Sequence, residues 1–134
     1  MIHQKQSVRE VPLHQINWHT GERDTSTMIT KSAPTIRYDI YIAGDINVAK
    51  QLCREYCFDI GLCVTVEQVS FIYTGGEEIG IRVGLINYPR FPTTSKDLEN
   101  VTKTLADKLM QGMFQQSYSI VGPESTEWYS RRKV

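Results

Sequence analysis

Between Leu62 and Pro92 two runs rich in Val, Ile, Phe and Tyr flank the polar stretch Gly75-Gly76-Glu77-Glu78, a pattern that predicts two long strands folded back as a β-hairpin. Glycine tolerates the positive φ that such a turn requires. Upstream, Thr35 to Ala43 alternates cleanly, with Ile36, Tyr38, Ile40 and Ile42 on one face and Arg37, Asp39 and Tyr41 on the other, which marks a half-buried strand. Gly44 ends it, and Asp45 or Asn47 can cap the helix that follows. Val48, Ala49, Leu52, Cys53, Tyr56, Cys57 and Ile60 recur at steps of three and four as one apolar stripe, and Gly61 is the natural stop.

After Pro89 and Pro92 break the hairpin, Thr93-Thr94-Ser95-Lys96-Asp97 supplies a capped start for a second helix. Its stripe is Leu98, Val101, Leu105, Leu109 and Met113, with Gly112 near the stop. A last strand, Ser117 to Val121, precedes Gly122-Pro123 and an aromatic, basic tail, TEWYSRRKV. The order strand, helix, strand, strand, helix, strand predicts an α+β fold of ferredoxin-like βαββαβ type: a four-stranded antiparallel sheet with two helices on one face. Leu52, Tyr56, Val101, Leu105 and Leu109 are expected to share one core.

Residues 35–134 form the single predicted domain. Residues 1–34 read as an N-terminal arm with a short strand or extended piece near Val8 to Trp18, then a Thr/Ser-rich mobile loop from Asp24 to Ser32. A chain of 134 residues with 40% hydrophobic and 22% charged content fits one ordinary core. Fifteen basic residues balance fifteen acidic ones, so no overall field draws in a phosphate backbone, which argues against nucleic acid as partner. The chain has no apolar run of membrane-spanning length, and MIHQKQSVREVPLHQ lacks the apolar core of a secretory signal. A cytoplasmic protein with no membrane partner is therefore expected. Cys53, Cys57 and Cys63 fit that compartment as free thiols, and their spacing lacks the paired knuckles of a zinc site. His3, His14 and His19 show no clear period. No metal site and no cofactor are predicted.

The hairpin turn is not a phosphate-binding loop: it lacks the lysine-bearing string, joins two strands and carries repelling carboxylates. Glu77 and Glu78 point to opposite sides of a strand, and no serine stands in a nucleophile elbow, so no catalytic residue is assigned. The sheet face left bare by the helices is the first candidate for binding. If Ile79, Ile81, Val83 and Leu85 meet the helices, the opposite face shows Gly80, Arg82, Gly84, Ile86 and Tyr88, with Arg37, Asp39 and Tyr41 beside them. Arg82 and Arg37 would meet a phosphate while Tyr41 or Tyr88 stacks on a base. A second copy of the chain or the N-terminal arm covering this face is the competing expectation. With Trp18, Trp128 and Tyr129 it offers apolar area that predicts self-association, most simply a two-fold dimer. Trp128, Tyr129 and Arg131, with Arg132, form the candidate surface for a protein partner.

YDIYIAGDINVAKQLCREYC, GLCVTVE, FIYTGGEE, GLINYPRFP and SIVGPESTEWYSRR together resemble a family of small uncharacterised proteins of large tailed bacteriophages, over residues 38–132. The arm lies outside the likeness. The resemblance implies context and transfers no site residue: a phage counter-defence protein in the host cytoplasm that sequesters a nucleotide-like immune signal without turning it over. The alternatives are an inhibitor that binds and blocks a host protein, and a phosphoesterase acting on a nucleotide signal.

Overall fold

Tyr38, Ile40 and Ile42 are buried on one side of strand β1 (Arg37–Ala43), which lies at the middle of an antiparallel sheet. A computed structural model of the protein describes residues 19–22 and 28–132. The expected strand near Val8 to Trp18, Trp18 itself, His3 and His14 fall outside the described residues. Helix α1 (Ile46–Ile60) opens on Asp45, whose carboxylate accepts from the Asn47 and Val48 N–H groups, and closes on Gly61 in the left-handed region at φ 70°. Strands β2 (Thr65–Tyr73) and β3 (Gly76–Ile86) make the hairpin, α2 (Ser95–Gly112) starts from Thr94 as its cap, and β4 (Ser117–Val121) and β5 (Thr126–Ser130) complete the chain.

The sheet order is β2-β3-β1-β4-β5, with every neighbouring pair antiparallel. Its first four strands have the ferredoxin-like βαββαβ arrangement, and both helices pack on one face. Ile81, Val83 and Leu85 meet Ile40, Ile42, Leu98, Leu105 and Leu109 in one core, to which Leu52 and Val101 contribute as half-buried residues. Among the described residues no helix is long and apolar enough to cross a membrane.

Three expectations are corrected. Among the described residues the sheet has five strands, because Thr126–Ser130, read as a tail, pairs with β4 through the register Tyr118 to Tyr129 and Ser119 to Trp128. The hairpin loop is Thr74-Gly75 alone, with Gly75 at φ 84°, and Gly76, Glu77 and Glu78 already belong to β3 opposite Tyr73, Ile72 and Phe71. Val48, counted in the α1 stripe, is exposed, as is Ile79 on the helix side of β3.

Candidate functional site

The helix-free face is built by strand alternation. From β1 it receives Arg37, Asp39 and Tyr41, from β3 Gly80, Arg82, Gly84 and Ile86, and from β2 the cross-strand partners Thr65, Glu67, Val69 and Phe71. Arg82 stands directly opposite Tyr41 on one side and Glu67 on the other. Its guanidinium forms ion pairs with both Asp39 and Glu67, and Asp39 also receives the Arg37 guanidinium at 3.1 Å. The hydrogen bond to Glu67 first, then Asp39, holds Arg82 even more firmly charged than usual. The two glycines leave room for this arrangement. The Phe71 ring lies over Gly80, with its edge toward Tyr41 at a centroid distance of 6.5 Å, and an added Cβ at Gly84 would meet Thr65 and Arg82.

Arg37, Arg82 and Tyr41 therefore share a face, as the sequence implies, but the two guanidinium groups are already matched to two carboxylates. Tyr88 lies beyond the end of β3, where its hydroxyl accepts from the Cys63 thiol at 3.6 Å. Trp128 and Tyr129 alternate, so they do not make one patch: Trp128 is exposed on the helix-free side, whereas Tyr129 stacks on Tyr118 at 5.1 Å on the helix side. Arg131 is exposed past the end of β5.

A second arrangement lies at the other end of the sheet, between α2 and β5. Ser95, Glu99 and Lys103 follow one another at four-residue steps, so they form a polar stripe along α2 beside its apolar one. Strand alternation turns Glu127 and Tyr129 toward that stripe, and the Gly122 to Ser125 turn, closed by the Gly122 N–H donating to the Ser125 carbonyl at 2.9 Å, brings Glu124 to the rim. Tyr38 from β1 and Ile120 from β4 form the floor of a cleft of about 220 Å³. Gly122 is required there, since a Cβ would come within 2.9 Å of the Tyr38 ring.

The cleft's polar groups form a chain. The Lys103 ammonium donates to Glu99 at 2.8 Å and reaches the Tyr129 hydroxyl, which donates to Glu127 at 2.7 Å. The hydrogen bond to Glu99 pushes the lysine upward, so it stays charged, and the bond to Glu127 pushes Tyr129 up. Burial, reinforced by the Glu99 charge, raises Tyr38 as well. Three carboxylates, Glu99, Glu124 and Glu127, thus face one ammonium, and two neutral phenols supply aromatic wall. Such a cleft attracts a cation and repels a phosphate.

The sequence reading passed over Ser95, Glu99, Lys103 and Glu127. The four-residue polar repeat of α2 and the alternation within TEWYS were the signals that could have found them. Among the described residues there is no group of three or more His, Cys, Asp or Glu arranged to hold a metal ion.

The fold has solved counterparts. A phage SAM lyase in complex with S-methyl-5'-thioadenosine superposes with a TM-score of 0.61 at 12% identity, covering 78% of this chain and 96% of that one. The apo state of a phage SAM lyase matches equally, at 0.61 and 12%, over 80% and 98% of the two chains. No protein-family model matches the sequence, and no curated protein sequence matches it. At this identity the likeness is one of fold. These neighbours are phage proteins, as the family resemblance implied, but they have a named activity in place of the uncharacterised family expected.

Proposed function

We propose that this protein is a phage-encoded binder of a small cationic nucleoside of the S-adenosylmethionine class, held with its positively charged arm in the cleft between α2 and β5. The observation that carries the reading is the cleft's composition: three carboxylates and two phenols around a single lysine already engaged by Glu99 and Tyr129. The phage SAM lyase neighbours, one of them holding S-methyl-5'-thioadenosine, support the ligand class. The reading keeps ligand capture but replaces the phosphate-bearing signal expected from the sequence, because the cleft is acidic and Arg37 and Arg82 are matched by Asp39 and Glu67.

At about 220 Å³ the cleft lies below the roughly 300 to 1,000 Å³ of a complete ligand site. It therefore takes the ammonium and sulfonium part of the ligand, met by Glu99, Glu124 and Glu127. The nucleoside lies across the rim. Removing a sulfonium methyl donor from the host cytoplasm deprives methyl-transfer chemistry of its reagent, and a counter-defence role follows from that.

Sequestration and turnover both fit this cleft. The lyase neighbours favour turnover as the second reading: the ligand's own carboxylate would form a C–O bond to the carbon attached to sulfur as the C–S bond breaks and the sulfonium departs as a neutral thioether, a step that needs placement and charge more than a proton donor. Calorimetric titration with S-adenosylmethionine, with ATP as the anionic comparator, tests binding. Denaturation of the complex in cold dilute acid, where S-adenosylmethionine is stable, followed by chromatography separates the rest: intact ligand means sequestration, and S-methyl-5'-thioadenosine means cleavage. Equal affinity for ATP, or no binding of the sulfonium, overturns the proposal.

A further inference from the structure

At the C-terminal end of α1, far along the chain from the cleft residues, the helix stop brings three thiols to one corner. The left-handed Gly61 lets both its own N–H and that of Leu62 donate to the Cys57 carbonyl, at 2.9 and 3.2 Å. The chain thereby doubles back on the last turn, and Cys63 arrives beside the helix flank that carries Cys57 and, one turn earlier, Cys53. All three cysteines line one open cavity of about 320 Å³, together with Lys50 and Arg54. Their accessibility is graded: Cys53 is buried, Cys57 half-buried and Cys63 exposed. The Val64 N–H bonds to the Cys57 sulfur, and Cys57 and Cys63 are close enough for a charge on one to disfavour a charge on the other. Exposed thiol, half-covered thiol and two flanking cations are the parts of an exchange site for a small anionic disulfide.

We infer that Cys63 and Cys57 form a thiol–disulfide exchange pair that reacts with low-molecular-weight disulfides bearing carboxylates, with Lys50 and Arg54 receiving the carboxylates. Cys63, as thiolate, attacks one sulfur of the small disulfide; that S–S bond breaks, one small thiolate leaves, and a mixed disulfide remains on Cys63. Cys57 then gives its proton to solvent and attacks the Cys63 sulfur, expelling the second small thiolate and closing a Cys57–Cys63 bond. Two protein thiols are oxidised by two electrons and one small disulfide is reduced to two thiols. The order of events follows from accessibility. Burial, and secondarily the neighbouring Cys63, push the Cys57 thiol up, and capping Cys63 removes the second of these, so Cys57 becomes easier to ionise only after the first step. Cys53, buried and pushed up to about 12 by burial, takes no part. None of this depends on the cleft or its ligand.

The test uses the full chain, glutathione disulfide as anionic probe and hydroxyethyl disulfide as neutral one, with intact mass and peptide mapping as readouts. The wild-type protein is expected to lose the mass of two hydrogens and to yield a linked Cys57–Cys63 peptide pair. Cys57→Ser is expected to stop at the mixed disulfide on Cys63, and Cys63→Ser to stay unmodified over the same period. Arg54→Gln is expected to slow glutathione disulfide several-fold while leaving hydroxyethyl disulfide unchanged. Circular dichroism confirms folding, and Cys57→Ala replaces the serine variant if that fails to fold. A stable adduct without the internal bond in the wild type, or equal reaction of Cys63→Ser, overturns the pair. Equal slowing of both probes, or of neither, overturns the role of the cations.

Discussion

Arg82→Ala is the perturbation whose cost the structure specifies most closely. The Arg82 side chain is 16% exposed and Asp39 12%, whereas Glu67 is 56% exposed. The Glu67 arm therefore contributes about 0.2 to 1 kcal/mol, as an exposed pair. Loss of the Asp39 arm is dearer, because removing one member of a buried pair costs roughly 3 to 5 kcal/mol when the other is left without a partner. Asp39 keeps Arg37 at 3.1 Å, an arginine that is 62% exposed, and this reduces the cost of that arm to roughly 2 kcal/mol. A total of about 3 kcal/mol lowers the melting temperature by roughly 10 °C in a domain of this size. Urea unfolding at neutral pH measures it, and Asp39→Asn with the double variant completes the cycle. In the Asp39→Asn background Arg82→Ala is expected to cost less than half as much, because the charge it would strand is gone. Stability within about 0.5 kcal/mol of wild type, the range of an ordinary surface substitution, refutes the reasoning. If ligand binding were lost with it, the result would return Arg82 to the role of an anion clamp.

Gly80→Ala places a methyl group 2.6 Å from the Ile42 carbonyl oxygen and within the Phe71 ring. Since backbone cannot yield as a side chain can, a loss of roughly 2 to 3 kcal/mol is expected in denaturant unfolding. Glu127→Gln removes one carboxylate and weakens the bond that Tyr129 makes; sulfonium affinity by calorimetry is expected to fall about tenfold or more, with melting temperature little changed. Burial raises Cys53 from 9.0 to about 12, and Tyr118 and Tyr56 are also raised by burial. The unfolded chain therefore loses protons that the folded chain retains, and stability measured by urea midpoints should fall as pH rises from about 9 to about 12, less steeply in Cys53→Ala. Exposed Trp128, Ile86 and Val121 on the helix-free face lead us to expect a dimer at micromolar concentration, which sedimentation should show as twice the chain mass and Trp128→Ser should shift toward the monomer.

The elements that fill the core were legible because their periods are unambiguous. Alternation placed Tyr38, Ile40 and Ile42, the stripe of α2 placed Leu98, Leu105 and Leu109, and the Asp45 cap and the Gly61 stop bounded α1 within a residue. Strand β5 was missed for a physical reason. Each of its faces carries one aromatic residue among polar ones, and what makes it a strand is pairing with β4 and the stacking of Tyr129 on Tyr118, neither of which is local information. The extent of the β3 strand was hidden in the same way, since Glu77 and Glu78 are held by register opposite Ile72 and Phe71 against their own turn-like composition. The helix-free face was readable residue by residue, but the match of Arg82 to Glu67 depends on β2 register, which the pattern alone leaves open. The cleft needed β5, so its acidic residues were visible only as isolated charges.

Because β5, among the described residues, pairs with β4 alone, the cleft's outer wall is held by an edge ladder of the sheet. Peripheral ladders open far more often than central ones, so amide hydrogens of Thr126–Ser130 should exchange through local fraying while those of β1 and β3 exchange only on global unfolding. For the ligand proposed above, capture is then expected to depend on timing as well as contact: protection of the Thr126–Ser130 amides should rise when the sulfonium is added, and a substitution that loosens β5 should speed ligand release.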